Sequence, residues 1–289
     1  IATLTSNQIS AIATSVVKEL SSAQIQALGT SGITALTSAQ IQALDTNDVT
    51  NLTSNQISAL SSSQIAALTS SQIAGLEVAD MGALSSVQIK ALGGSTIGQL
   101  SSNQIKTLTS TQLQALTSTQ IQALGTSGVN QLTTAQISTL SSGNIASLSS
   151  SQIVNLDATL FNKLTSAQIG SISTVALSSL SSEQLQAFGT TGSSALSASQ
   201  ISALGTSGIT KLSAAQLGSL STSAINVLSS AQISTLGTGN INNLSSTQLR
   251  ALSSVAINTL SSAQVAQLDT KIATLTSNQI SAIATSVVK

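Results

Sequence analysis

The 289-residue chain has no cysteine, histidine, proline, tryptophan or tyrosine, and only two aromatic side chains, Phe161 and Phe188. Without cysteine there is neither a disulfide nor a thiol nucleophile, and without histidine there is no imidazole base; the usual zinc ligand sets go with them. Charged residues make up 6% of the chain, where ordinary globular domains carry about a quarter. Eight basic side chains balance eight acidic ones, so there is no basic footprint for nucleic acid and no polybasic face for anionic lipid. No apolar run approaches the roughly 18 residues of a membrane span, and the N-terminus lacks the charged-then-apolar pattern of a signal peptide. These absences predict a water-facing segment whose targeting signal lies outside it. With so few aromatics a single large core is not expected either.

What is present is one short unit laid end to end. In Leu116–Leu124, LTSTQIQAL, a hydroxyl residue is followed three places later by glutamine. That is a capping box: Thr117 accepts from the backbone N–H of Gln120, and the Gln120 side chain reaches back to the N–H of Thr117. Leu116 and Ile121 flank this pair at the positions whose side chains meet in a hydrophobic staple. The unit therefore encodes a helix start twice over. It cannot extend into one long helix, because eight steps of about 100° leave each leucine about 80° from the last and wind the apolar stripe around the cylinder. Each unit must break.

Leucine, with rare replacements, recurs every eight residues from Leu4 to Leu268, but the fuller period is sixteen. In every second octad, starting at Leu4, Leu20, Leu36 and so on to Leu260, position 2 is Ser or Thr and position 5 is Gln without exception. This strict set is Gln8, Gln24, Gln40, Gln56, Gln72, Gln88, Gln104, Gln120, Gln136, Gln152, Gln168, Gln184, Gln200, Gln216, Gln232, Gln248 and Gln264. The intervening octads are loose at position 5, and Ser193 is the plain polar exception at their apolar position 6. The asymmetry predicts an all-α solenoid of short helices with about sixteen residues, two octads, per coil, the two segments lying in different environments. Glycine or an acid directly after the leucine, as at Gly29, Asp45, Glu77, Gly93, Gly125, Asp157, Gly189, Gly205, Gly237 and Asp269, reads as the left-handed residue that ends a helix. A β-solenoid is the alternative, since Ser, Thr, Asn, Gly and Ile abound, and a mixed α/β coil with the loose half extended is the other. The parity of the apolar positions and the helix-forming QIxAL half favour helix.

The glutamines serve the capping box in the simplest reading, which glutamate could do as well. Yet no strict octad uses glutamate. An amide both donates and accepts, so one glutamine per coil could form a column that also bonds to the neighbouring coil. Asp45 with Asp48, and Glu77 with Asp80, could flank a loosely bound cation; as an N-cap acid with an N3 acid on a first turn they need none. No catalytic, cofactor or metal residues are expected, and the chain is not read as an enzyme.

Residues 1–18, IATLTSNQISAIATSVVK, are identical to residues 272–289, with one residue missing from the octad frame between Leu268 and Leu275. Residues 1–271 are thus read as one super-repeat and 272–289 as the start of the next, the whole of 1–289 being one continuous repeat solenoid.

The strings LTSAQIQAL (36–44), LTSTQIQAL (116–124) and LSSSQIAAL (60–68) resemble the tandem L-[ST]-x-x-Q-[IV]-x-x-L repeats of very large bacterial surface or secreted proteins, described as adhesin-like or haem-utilisation-like. The resemblance covers the whole chain, although the calcium-binding nonapeptides that often accompany such repeats are missing from this stretch. It implies extracellular stalk, matrix or filament material at the cell surface. The expectation that follows is a structural repeat protein contributing to a filament, sheath or matrix fibre for cell attachment or cohesion, self-associating end to end and side by side, with no nucleic acid and no membrane span. The alternative is an adhesin stalk or a binding module whose Ser/Thr lattice contacts polysaccharide or ice.

Overall fold

A computed structural model describes residues 1–287. Among these residues there are thirty-three α-helices, one 3-10 helix and no strand, so strict and loose octads are both helical and neither β alternative holds. The octad explains each break. Position 1 is extended, as at Leu116 (φ −60°, ψ 134°), and so is the cap at position 2, as at Thr117 (φ −71°, ψ 162°). Two extended residues in succession redirect the chain, and the six that follow, Ser118–Ala123, form the next helix. The preceding helix closes with a tightened last turn, the N–H of Leu116 donating to the carbonyl of Leu113 at 3.2 Å.

The chain divides into two compact units, Ile1–Leu148 and Ser149–Lys289. Within the first, helix Ser38–Ala43 packs on Ser62–Ala67, that on Ser86–Ala91, that on Ser110–Ala115, and that on Thr134–Thr139. Each helix thus rests on the third one along, 24 residues away. The same rule holds inside the second unit, where Ala158–Phe161 packs on Ser182–Ala187 and Thr222–Asn226 on Ser246–Ala251. This corrects the sixteen-residue coil: one turn takes three octads. With one short straight segment and one two-residue corner per octad, two corners do not bring the chain back over itself, whereas three do. An alternation of period two over a three-sided coil places every strict helix against loose ones in the coils before and after it. The strict and loose halves are therefore not two different faces.

Positions 1 and 6 fill the narrow interior. Ile41, Ile57 and Ile65 are fully buried, and Leu44, Leu60 and Leu68 nearly so. Six-residue helices are too short to hold in water alone; burying each Ile or Leu contributes about 1.5–3 kcal/mol, and the stack supplies that burial. In the second unit Phe161 and Phe188 occupy the same two positions and pack with ring centroids 5.7 Å apart.

The turn residues sort into two kinds. Gly29, Gly125, Gly189 and Gly205 have φ near +60°, and Asp269 has φ 45°, as expected of a left-handed helix end. Gly93, Gly237, Asp45, Glu77 and Asp157 instead have φ between −76° and −59° and are the N-caps of the following helix. The difference lies in the preceding leucine. Leu28 and Leu124 remain helical, leaving the whole turn to one glycine, whereas Leu44 is itself extended and shares it. The seven-residue unit after Leu268 is accommodated by a 3-10 helix, Asp269–Thr274, whose larger rise of about 2.0 Å per residue spans the side with one residue fewer.

Candidate functional site

The feature that recurs at the corners is the position-5 glutamine. At Gln120 the capping box is complete: the N–H of Thr117 donates to Oε1 at 2.9 Å and the N–H of Gln120 donates to Oγ1 of Thr117 at 3.2 Å. The other end of the amide leaves its own helix. Nε2 donates to the carbonyls of Ile89 at 3.0 Å and Leu92 at 2.7 Å. Those carbonyls belong to the closing turn of helix Ser86–Ala91 in the previous coil, among the groups a helix end leaves without an internal partner. One side chain thus caps the start of its own helix and the end of another, 28 and 31 residues earlier.

Gln40, Gln72, Gln88, Gln104 and Gln136 repeat this geometry in the first unit. Gln200, Gln248 and Gln264 repeat it in the second. Gln184 reaches Val154 and Leu156, and where the turn carries a left-handed glycine, Gln56 and Gln232 take the glycine carbonyl as their longest acceptor. Gln152 and Gln168 are buried and carry complete capping boxes. Gln8 and Gln24 carry the box but are exposed. The reading of glutamine as a cap alone is therefore incomplete. Glutamate would serve the cap, but its carboxylate would face two carbonyl oxygens with nothing to donate.

The strict glutamines do not form the single column expected of them. Helices 24 residues apart share a side, so each strict glutamine alternates with a loose residue. One side of the first unit runs uninterrupted through Gln40, Gln64, Gln88, Gln112 and Gln136, because two loose octads also carry glutamine. Gln64 donates to Ile33 and Leu36, and Gln112 to Met81 and Leu84. Their signal was present in the sequence as Ser61-x-x-Gln64 and Thr109-x-x-Gln112. Two lysines that no motif marked do related work: Lys211 Nζ donates to the carbonyl of Leu180 at 2.8 Å, and Lys271 Nζ to that of Leu244 at 3.0 Å. Ser193 is explained as well. It is fully buried and accepts from Nε2 of Gln216 at 3.0 Å.

The acidic pairs sit at corners of the same kind. Asp45 is an N-cap accepting from the N–H of Asp48 at 2.7 Å, while Asp48 is buried and accepts from Oγ of Ser22 at 3.0 Å. Asp80, also buried, accepts from Oγ of Ser54 at 2.6 Å. Burial raises the carboxyl pKa of Asp48; the Ser22 hydrogen bond opposes this and the charge of Asp45 adds to it. Among the described residues no three His, Cys, Asp or Glu side chains gather as a metal site, and no helix is long and apolar enough to cross a membrane. A groove of about 560 Å³ lies over the left-handed turn at Gly189, lined by Asn162, Thr165, Phe188 and Gly192 among others. Gly192 stands there in the glutamine position, where a Cβ would come within 2.4 Å of Ile169 Cδ1. Asn162, the hydroxyls of Thr165, Ser166, Thr190 and Thr191, and the apolar Leu164, Ala187 and Phe188 line the groove, which holds no acidic or basic side chain.

No curated protein matches the chain. A family model does: the ALTTAQ repeat matches residues 9–46, 41–78, 73–110, 96–126 and 235–270, together more than half of the sequence. The first three regions start 32 residues apart. Each begins at or just before an isoleucine whose carbonyl is bonded, Ile9, Ile41 or Ile73, and extends just past the glutamine that bonds it, Gln40, Gln72 or Gln104. Each of those three matches spans one glutamine bridge, and the chain belongs to the ALTTAQ repeat family.

Proposed function

We propose that this chain is a structural element of an extracellular filament, sheath or matrix fibre, whose task is to hold length and stiffness at a cell surface. The observation that carries the reading is the corner glutamine. A buried amide that caps one helix and ties down the end of another, repeated through both units, is a device for propagating a coil. The outward positions favour close lateral approach, since they are mostly Ser, Thr, Asn, Gln and Ala, with few charges to repel a neighbour. The Ser/Thr lattice reading is weaker, because the position-2 hydroxyls are committed to their own helix, as Thr117 is to Gln120. Electron microscopy of the purified chain, with immunolabelling of intact cells, tests the proposal. Fibres and surface label are expected; a dispersed monomer confined to the cell interior would overturn it.

A further inference from the structure

At position 7 of an octad, a glutamine side chain can bridge to the carbonyl at the end of the helix one coil on. Gln114 Nε2 donates to the carbonyl of Thr139 at 2.6 Å and Gln122 Nε2 to that of Ser147 at 3.2 Å, each 25 residues ahead. Asn162 holds the same position in the second unit, and the matching carbonyl is that of Ala187, which ends helix Ser182–Ala187. Its side chain is one methylene shorter than glutamine, and its amide bonds to none of the described residues. Where that bridge is missing, the groove of about 560 Å³ over the Gly189 turn meets a second of about 570 Å³, and Asn162, Ala187 and Gly189 line both. The hydroxyls of Thr190 and Thr191 on the turn are exposed and also bond to none of the described residues. Gly189, with φ 59°, leaves bare backbone at the rim, since no atom lies within 4 Å of where its Cβ would stand.

We propose that this double groove binds a neutral oligosaccharide. The Asn162 amide both donates and accepts, and the two threonines add a hydroxyl each, a set that pairs with the vicinal hydroxyls of a sugar ring. Leu164 and Phe188, both nearly buried, give the first groove an apolar floor for the C–H face of that ring. Each groove lies within the range of small-molecule pockets, about 300–1,000 Å³, so two adjoining ones seat consecutive rings. Charge narrows the class. No lysine or arginine lines either groove, which leaves a phosphate or carboxylate ligand without a counter-charge, and Glu183 on the second groove accepts from hydroxyls while repelling an anionic sugar. Unlike the position-2 hydroxyls, which cap their own helices, Thr190 and Thr191 stand at positions 3 and 4 with their hydroxyls free. The site is local to one shortened side chain and does not rest on the filament reading.

Isothermal titration calorimetry of the full chain with cellohexaose, maltohexaose and chitohexaose tests this, with hydrogen exchange to locate the contact and circular dichroism to check folding. At least one probe is expected to bind and to raise amide protection over residues 187–192; no heat from any of the three at millimolar concentration would overturn the site. Asn162→Gln has the length to bridge to the Ala187 carbonyl and should weaken binding about tenfold without lowering the melting temperature. Thr190→Val with Thr191→Val keeps the shape, removes the hydroxyls and should weaken binding as well. Asn226→Ala, an exposed asparagine at the same helix position away from the groove, should bind as the wild type does. Wild-type affinity in both groove variants, an equal loss in Asn226→Ala, or tighter binding of hexagalacturonate would each overturn the proposal. A dispersed monomer that binds a probe would support the site and count against the filament, whereas fibres that bind none would do the reverse.

Discussion

Residues 1–18 and the matching segment from residue 272 have the same sequence and different structures. In the first, helix Ser6–Ser10 ends at Ala11, the chain is extended at Ala13 (φ −62°, ψ 142°), and a second helix runs over Thr14–Val17. In the second, one helix runs without interruption over Ser277–Val287. The corner at Ile12 is thus not written in the local sequence. The octad it opens has Ala13 in the cap position and Val16 in the glutamine position, so nothing local forces a break. The first segment is broken because helix Ser38–Ala43 packs against Thr14–Val17, with Gln40 Nε2 donating to the carbonyls of Ile9 at 2.9 Å and Ile12 at 2.7 Å. Where the octad carries its own box, the corner is specified locally; where it does not, the next coil imposes it.

Five substitutions would break or sharpen this comparison. The largest effect is expected inside a stack. Gln120→Glu keeps the cap and loses the bridge, leaving a buried carboxylate against the carbonyls of Ile89 and Leu92, and should cost about 3 kcal/mol in urea unfolding. Unchanged stability would mean that the amide only caps. Next comes the matched pair. Gln279→Glu should cost about 1–3 kcal/mol, since its two carbonyl partners lose their donor, and hydrogen exchange should report this as lost protection in Ser277–Val287. Gln8→Glu, on an exposed copy of the same residue, should change stability by less than about 0.5 kcal/mol. Equal costs at the two positions would show that the cap, not the bridge, dominates.

Ala13→Ser gives the imposed corner a cap of its own. It should stabilise the first segment by about 0.5–1 kcal/mol, read as added amide protection over Thr14–Val17; no gain would mean that the corner geometry does not admit the cap bond. The smallest effect is that of pH. The Asp48 carboxyl titrates above its unfolded value, so between those two values the native state binds more protons than the unfolded chain. Stability should therefore rise slightly as pH falls from neutral through the folded pKa, and level off below the ordinary aspartate range. Asp48→Asn should remove that slope from a series of melting curves, and an unaltered slope would assign it to other groups.

The sequence by itself determined the helices and most of their starts. Capping boxes such as Thr117 with Gln120 are complete within four residues, so these starts were legible without knowing what any helix touches. It also determined which apolar side chains are buried, because positions 1 and 6 are the regular apolar ones. The number of octads per coil was decided by tertiary structure. Sixteen is the period of the side chains and 24 the period of the packing, and the two are reconciled only when Gln120 is seen to reach back 31 residues to Ile89. That reach spans four octads, an even number, so strict glutamines land on the ends of strict helices. Nothing in the spacing distinguishes a two-sided from a three-sided turn, since the angle at a corner is set by how two extended residues let one helix rest on the third one along. For the same reason, the segment shared by residues 1–18 and 272–289 could not reveal its own shape. Where local capping is silent, the contacts of the neighbouring coil decide whether the backbone bends.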